Sequence, residues 1–470
     1  MINFIKACWL KRKTVWRIWK SYDGLRGKIW AIRLIIYHAE AFLQWHFGFG
    51  LPLLRRFGVS GVVPGLHDPV GIRVVAAIEE RLSPINVAID KNREKTINFL
   101  LPNLEPKFFF AGYLSVFNMM KKLLERGHKL RIIITEPPPY DLRDILAQIS
   151  MNSVPYLCLS RAEVILLHDR RNTEVPVSPE DIYFAYSWMT ARLAHDAAQK
   201  TNGRPFIFYI QEYEAVFHPL DSIHALCNAT YSLPHYAVFN SHLLPKYFQQ
   251  RGIGVFENGV AYGEEHSVYF LHAISDVEAP TIGEISGRKN KKFLFYARPE
   301  AHAARNLFEL GILALKEAIA QDVFHDDWEF HGIGALETEC SVPLAEGKEM
   351  LLMKRKSLDE YVKLLKEYDV GMSLMYAPHP SVPPLEMAAA GMVTVTSLFE
   401  NRTDSDMQKI SRNIIAVQPS TKEICHGLAK AVKQAGNYEE RIKNSRLDWP
   451  RRWEESFNDD FMMKLEKFIL

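Results

Sequence analysis

The chain has 470 residues, 48% hydrophobic and 24% charged, more than one core can organise, so two domains with appendages are predicted. Its five cysteines, at 8, 158, 227, 340 and 425, include no close pair, which excludes a cysteine-rich zinc site or disulfide framework and fits a reducing cytoplasm. The net charge of +2 hides an asymmetry: residues 1–60 hold eleven Lys/Arg against Asp23 and Glu40, about +9, leaving about −7 for the rest.

The basic segment also holds five of the nine tryptophans, at 9, 16, 19, 30 and 45. Cations mixed with Trp, Phe and Ile suit an interfacial helix on an anionic membrane. They suit equally a helical arm that packs on its own core or on a second subunit, as in a homo-oligomer. Arg33, His38, Glu40 and Gln44 interrupt the most apolar stretch, 29–47, so neither a bilayer span nor a signal-peptide core is expected. No nucleic-acid recognition module follows the basic residues.

From Lys95 onward short apolar runs alternate with amphipathic stretches. "TINFLLP" (96–102), "LRIIIT" (130–135), "EVILLHD" (163–169), "PFIFYIQ" (205–211) and "HYAVFNS" (235–241) read as strands. Helices are predicted over 112–129, where Gly127 ends the pattern, over 182–200, and near 219–230 and 242–250. A looser stretch at 261–291 reads as a linker. The alternation then restarts with strands "KKFLFYA" (291–297), "WEFHGIG" (328–334), "DVGMSLM" (369–375), "MVTVT" (392–396) and "NIIAVQP" (413–419). Helices are expected over 305–319 and over 357–368, the latter opened by a Ser357–Glu360 capping box. The amphipathic segment 449–470 follows the completed second domain. Strands alternating with helices predict an α/β fold of two doubly wound, Rossmann-like domains whose strand carboxyl ends share a ligand cleft. The predicted organisation is a basic, aromatic-rich helical arm over 1–65, an N-terminal domain over 66–275, a C-terminal domain over 276–448, and a crossover helix over 449–470.

Two stretches carry chemistry. In "FYARPEAHAARN" (295–306), Arg298 stands at the carboxyl edge of a strand and Arg305 opens the next helix; two guanidinium groups there can grip a diphosphate without a metal ion. The plainer alternative for Arg305 is an ion pair with Glu309. In "YAPHPSVPPLEMAAAG" (376–391), Ser381 and Val382 lead through two prolines into a helix start, whose free amides and dipole suit an anion. Glu386 lies one turn inside, where a carboxylate can accept from a ribose hydroxyl pair or simply serve the dipole. "HGIGALE" (331–337) lacks the third glycine of a dinucleotide fingerprint.

These motifs, in this order, resemble the nucleotide-sugar domain of retaining GT-B glycosyltransferases of family 4. The wording "YARPEAHAARNLFELG" and "APHPSVPPLEMAAAG" resembles more closely the bacterial rhamnosyltransferases of the WsaF type. "LLPNLEPKFFFAGYLSVFNMMKKLLERGHKL", "YSWMTARLA", "FYIQEYEAVFHP" and "FNSHLLPKYF" extend the likeness through the N-terminal domain, over roughly residues 66–465. The resemblance implies a metal-independent enzyme without a cofactor, cytoplasmic and peripheral on the inner face of the membrane. It would move a sugar, L-rhamnose from dTDP-rhamnose, onto a lipid-linked bacterial surface glycan. It further implies Arg298 and Arg305 on the donor diphosphate, Ser381 and Val382 beside the phosphates, and Glu386 on the nucleoside sugar. Gly112 would face the donor from the opposite domain, and Lys356 (or Arg355) would lie near the nucleotide. Gln211, Glu212 and Glu214 fall on the acceptor side, with Glu212 as the polarising carboxylate. The family pattern has a second glutamate eight residues before Glu386, where this chain has Pro378; a 6-deoxysugar donor is compatible with that loss. An epimerase on the same fold and a catalytically silent assembly protein are the competing readings.

Overall fold

The computed structural model describes residues 72–109, 111–138, 140–325 and 328–470; the arm predicted over 1–65 lies outside them. The chain divides into two compact units, Met1–Leu82 and Ser83–Leu470. Of the first, the helix Ile72–Leu82 is described. Among the described residues no helix is long and apolar enough to cross a membrane.

The second unit contains two seven-stranded sheets. In the N lobe the strands are β2 (Ile97–Leu101), β3 (Leu130–Ile134), β4 (Glu163–Leu166), β6 (Ile182–Ala185), β7 (Phe206–Ile210), β8 (His235–Asn240) and β9 (Ser267–Phe270), in the spatial order β4-β3-β2-β6-β7-β8-β9. All six neighbouring pairs are parallel. A separate parallel pair is formed by β1 (Asn86–Ile89) with β5 (Glu174–Val177). The C lobe contains β10 (Lys291–Tyr296), β11 (Trp328–Ile333), β12 (Cys340–Ala345), β13 (Lys348–Leu352), β14 (Val370–Met372), β15 (Val393–Ser397) and β16 (Ile414–Val417), ordered β12-β13-β11-β10-β14-β15-β16. Of these, β12 runs antiparallel, in a hairpin with β13. The order reverses at β2/β6 and at β10/β14, which is where open α/β sheets leave a crevice for ligands.

Burial explains why the central strands read as continuous apolar runs. Every residue of β2, β3 and β7 is buried, as parallel strands covered on both faces require. The capping box opening the helix Leu358–Leu365 forms as expected: the Ser357 hydroxyl accepts from the Glu360 amide, and the Glu360 side chain accepts from Ser357. Three expectations change. The predicted helix over 182–200 begins with strand β6, and its helix is Trp188–Thr201; four strand residues are too few to show a period of two. The stretch read as a linker from 261 starts with the helix Val260–Glu265 and edge strand β9, and the short helix Ile282–Ser286 lies within it. The β12–β13 hairpin has no counterpart among the predicted strands: β12 is largely exposed, and the one apolar run, Met350–Met353, is short and follows charged residues.

The terminal segment returns to the N lobe. Phe457, Phe461, Met462, Leu465 and Ile469 join the core that contains Phe99, Phe117 and Leu123. Arg126 donates to both oxygens of Glu466, at 2.8 and 2.9 Å, and the His128 ring lies 2.9 Å from Oε1. These partners, with Arg126 foremost, hold the Glu466 carboxyl down to about 2. Lys95 Nζ donates to the Ile469 carbonyl at 2.6 Å. The predicted crossover is therefore a built part of the N-lobe core. Leu465→Ala, at a fully buried position, is expected to lower unfolding stability by ~2–5 kcal/mol, read as an earlier urea midpoint; an unchanged midpoint would remove the helix from that core.

Candidate functional site

On the C-lobe side, β10 delivers Arg298 one residue beyond Ala297. Its Nε donates to Glu300 Oε2 (2.9 Å) and its Nη1 to Tyr296 Oη (3.0 Å), and Nη2 lies 3.2 Å from His302 Nε2. A guanidinium has five N–H groups, so three are used in orienting it and two remain for a ligand. The glycines of "HGIG" serve packing: a β-carbon at Gly334 would sit 2.1 Å from the Ala297 carbonyl oxygen and 3.1 Å from Arg298 Cδ. Arg305 lies on the short 3-10 stretch Ala301–Asn306. It donates to the His302 carbonyl (3.1 Å), and its guanidinium carbon stands 4.3 Å over the ring of Phe217 from the N lobe. Its Nε is buried without a partner, and burial lowers its pKa.

The proline-rich loop departs from expectation. The helix Pro383–Ala389 starts with two prolines, so its first two positions have no N–H. The amides of Leu385 and Glu386 both donate to the Val382 carbonyl, at 3.0 and 3.1 Å. Of the four amides a helix start ordinarily frees, here those of Val382, Pro383, Pro384 and Leu385, two are thus absent and that of Leu385 is engaged, so the expected row of anion-binding donors is reduced to the amide of Val382. Ser381 takes a left-handed backbone (φ +67°) and its amide donates to His379 Nδ1 at 3.0 Å; such strain in a non-glycine residue is typical of functional loops.

Glu386 is buried and its Oε1 accepts from both the amide (3.0 Å) and the hydroxyl (2.6 Å) of Ser275, in the segment joining the lobes. Burial drives the Tyr361 phenol well above its ordinary value, with Glu386 and Tyr296 adding to the shift. Since Tyr296 accepts from Arg298, the residues Glu386, Tyr361, Tyr296 and Arg298 form one cluster. Lys356 is half-buried just ahead of the Ser357 cap, where its charge acts on Glu360. Among the described residues no hydrogen bond or ion pair joins it to Arg298 or Glu386.

On the N-lobe side, Gly112 lies in the first turn of the helix Ala111–Glu125. A β-carbon there would come within 2.5 Å of Tyr186 Oη and 3.9 Å of Gln211 Cδ. Its carbonyl accepts from Ser115 Oγ (2.7 Å), which accepts from Gln211 Nε2 (2.9 Å), and Gln211 Oε1 accepts from Asn240 Nδ2 (2.8 Å). Gln211 is therefore held within its lobe, while Glu212 reaches across. Glu212 Oε1 accepts from its neighbour Tyr213 N (3.0 Å) and from His379 N of the C-lobe loop (3.3 Å). Its Oε2 is buried with no partner. Burial pushes the carboxyl up to about 7, against the two amides and the charges of Arg305 and Arg402, which favour ionisation. Glu214 accepts from Trp188 N at 3.0 Å, and burial raises it to about 8, with Glu212 contributing.

The site thus has a C-lobe cluster around Arg298 and Glu386 and an interlobe seam around Glu212 and Arg305. Sequence reading missed His379, Arg402 and Tyr361. His379 sits between two prolines in "APHPS", a weak signal; Arg402, in polar surroundings, offers none.

Comparison with known proteins follows this geometry. Residues 96–242 match the family model described as the WsaF N-terminal domain, and residues 291–429 the one described as the WsaF C-terminal domain; the chain carries both WsaF domains in order. The O-antigen biosynthesis protein RfbC of Myxococcus xanthus is 26% identical over 384 residues, 76% of this chain. The chain spans only 26% of that relative's length. Sucrose-phosphate synthase of Thermosynechococcus elongatus superposes with a TM-score of 0.53 at 12% identity, covering 80% of this chain and 97% of its own. Anabaena HepE, solved in complex with UDP, does so with a TM-score of 0.52 at 11% identity, covering 80% and 98%. At these identities the likeness is one of fold, and the fold is GT-B, as expected.

Glu212 generates a pH prediction. Its folded pKa, about 7, lies above the ordinary carboxylate value of 4.5, so the folded state keeps a proton that the unfolded chain loses. Stability therefore falls as pH rises from 4.5 to about 7 and is level above it. Glu212→Gln retains the Oε1 acceptor without the charge. Its thermal midpoint should match wild type near pH 4.5, exceed it progressively up to pH 7, and run parallel beyond; a constant difference across that range would contradict the assigned burial.

Proposed function

We propose that the chain, with its two WsaF domains, is a retaining glycosyltransferase that moves L-rhamnose from dTDP-rhamnose onto a lipid-linked bacterial surface glycan. It would act at the inner face of the cytoplasmic membrane, with the basic segment 1–60 on anionic lipid. The GT-B fold, the domain matches and the O-antigen relative support this reading. The observation that carries it is Glu212: a buried carboxylate with one free oxygen, poised near neutral pH where loops from the carboxyl edges of both sheets meet.

In this reading the donor lies against the C lobe. Arg298, oriented by Glu300 and Tyr296, presents its two remaining N–H groups to the diphosphate, and Arg305 and Val382 approach it from the same loops. Ser381 shapes that loop, Glu386 meets the nucleoside sugar, and Lys356 adds positive charge near the nucleotide. Gly112 would face the donor from the N lobe through its backbone, its missing side chain making room for Tyr186. The bond from the sugar's anomeric carbon to the diphosphate oxygen breaks and one to the acceptor hydroxyl oxygen forms on the same face. The departing phosphate takes the acceptor proton, while Glu212 polarises the hydroxyl, as suits a group whose pKa lies near the operating pH. Negative charge building on the diphosphate meets preorganised guanidinium groups, an arrangement that dominates such barriers. No divalent ion or cofactor takes part in this scheme.

The test is turnover across a panel of nucleotide sugars with and without a lipid-linked acceptor. Acceptor-dependent consumption of dTDP-rhamnose, undiminished by EDTA, is expected; turnover without acceptor would indicate an epimerase, and loss on chelation would refute the metal-free scheme. Arg298→Ala should reduce the rate by about 10²-fold or more, and an unchanged rate would take Arg298 out of the mechanism. Nucleoside diphosphate should raise the thermal midpoint of wild type, following RT ln(1 + [L]/Kd); no shift with any nucleotide would mark a silent protein.

A further inference from the structure

Behind the His379 loop lies a fully buried guanidinium that the scheme above does not use. Arg402 is 0% exposed. Its Nη1 donates to the His379 carbonyl (2.6 Å), and its Nη2 to the carbonyls of Ser397 (2.8 Å) and Met375. It sits in a tight turn, with Arg402 N donating to the Phe399 carbonyl (2.8 Å) and Phe399 N to that of Arg402 (3.2 Å). The adjacent Asn401 Nδ2 donates to the Pro378 carbonyl (3.2 Å) and, across the seam, to that of Leu243 (2.6 Å). Two consecutive side chains thus hold both ends of the loop 375–379 and attach it to the N lobe.

A buried cation is destabilising unless an anion or several acceptors compensate it. Carbonyl oxygens compensate Arg402 only in part: its Nε has no partner. Burial lowers its pKa to about 10, and Glu212 is the charge that opposes the shift. At neutral pH Arg402 is therefore protonated, and the carboxylate that answers it is the one on the opposite lobe.

We infer that Arg402 is a positioning residue for Glu212, fixing the loop whose His379 amide binds Glu212 Oε1 and supplying the buried positive charge that lets this carboxylate ionise. The inference rests on the reading of Glu212 as the acceptor-side carboxylate. The groups facing Glu212 are Arg305 and Arg402 with positive charge, Glu214, which is mostly protonated at pH 7 and turns negative only above about 8, the phenol of Tyr247, and the amides of Tyr213 and His379. The His379 imidazole is held neutral, driven well below its ordinary value by burial and then by His272, Arg402 and Arg305. Its Nδ1 accepts from Ser381, so it does not titrate in the same range.

Arg402→Met removes the charge and keeps the bulk; Arg402→Lys keeps the charge and loses the planar fork to three carbonyls. Two measurements are made on the full chain. The first needs no substrate: Glu212→Gln is introduced into wild type, into Arg402→Met and into Arg402→Lys. The stability change it causes in each of the three is followed against pH. In wild type this change should level near pH 7. In Arg402→Met it should go on growing to a pH at least one unit higher, and in Arg402→Lys it should level near 7. The second measurement is the pH–rate profile. Arg402→Met, which loses both the charge and the fork, should lose kcat at every pH and, on top of that, be slowed about fivefold or more at pH 7 by a component that recovers as pH rises. Arg402→Lys should lose kcat at every pH without that pH-dependent component and with the donor KM unchanged. A levelling pH in Arg402→Met equal to that of wild type overturns the electrostatic role, and full kcat in Arg402→Lys overturns the loop-fixing role. Should Arg402→Met not fold, Arg402→Gln takes its place under the same criteria. If wild type transfers no sugar at all, the functional reading fails while the stability titration still tests the coupling. If Glu212→Gln abolishes transfer and Arg402→Met shifts nothing, the inference alone fails.

Discussion

Glu212 is a carboxylate that the fold keeps out of water and between two lobes. A buried carboxylate ionises only where donors and cations make up for lost hydration. Here one oxygen receives an amide from each lobe, and Arg305 and Arg402 supply charge from the C lobe. The compensation exists only when the lobes meet. Breaking the seam would expose Glu212 to water and leave Arg402 with carbonyl partners alone, so the ionisation of Glu212 is tied to the meeting of the lobes.

Around that contact the remaining interactions act as supports. On one flank, the helix Leu243–Arg251 of the N lobe meets the segment after β15, where Lys246 pairs with Asp406 at 2.8 Å and Arg251 pairs with Glu400. The Asp404–Asp406 triplet belongs to this flank as a helix start capped by Thr403, with Asp404 also accepting from Ala416 N. Behind, the chain's last helix packs into the N-lobe core, so a segment that follows the C lobe in sequence stabilises the other lobe. Trp449 donates to the His272 carbonyl at 2.8 Å and fixes the point of return. Surface ion pairs of this kind contribute little singly; the apolar burial of Phe461, Met462 and Leu465 carries most of the attachment.

The Arg298 cluster follows a different principle. Arg298 is prearranged by three contacts, one from the end of β10 and two from the loop that follows it, and Gly334 and Gly332 allow the ends of β11 and β10 to approach closely enough for that loop to form. Preorganisation in this form avoids ordering a long side chain when a ligand binds. The paired prolines before Glu386 have the opposite effect on the neighbouring helix start, removing amides, so guanidinium groups and not a helix terminus become the main positive elements there.

By itself the sequence determined the two doubly wound domains, most strand positions, the Ser357–Glu360 cap and the placing of Arg298, Glu386 and Glu212 after strands. Those features arise from local periodicity and from residue types whose behaviour depends on near neighbours. Tertiary structure alone decided that Glu386 bonds Ser275, that Arg305 stacks on Phe217, and that Arg402 lies fully buried behind Glu212. It also converted a predicted linker into edge strand β9 and the first part of a predicted helix into β6. The reason is physical: burial of a polar residue and pairing of a short strand depend on partners far away in the chain, Glu212 and Arg402 being 190 residues apart, and no local pattern encodes a partner at that distance.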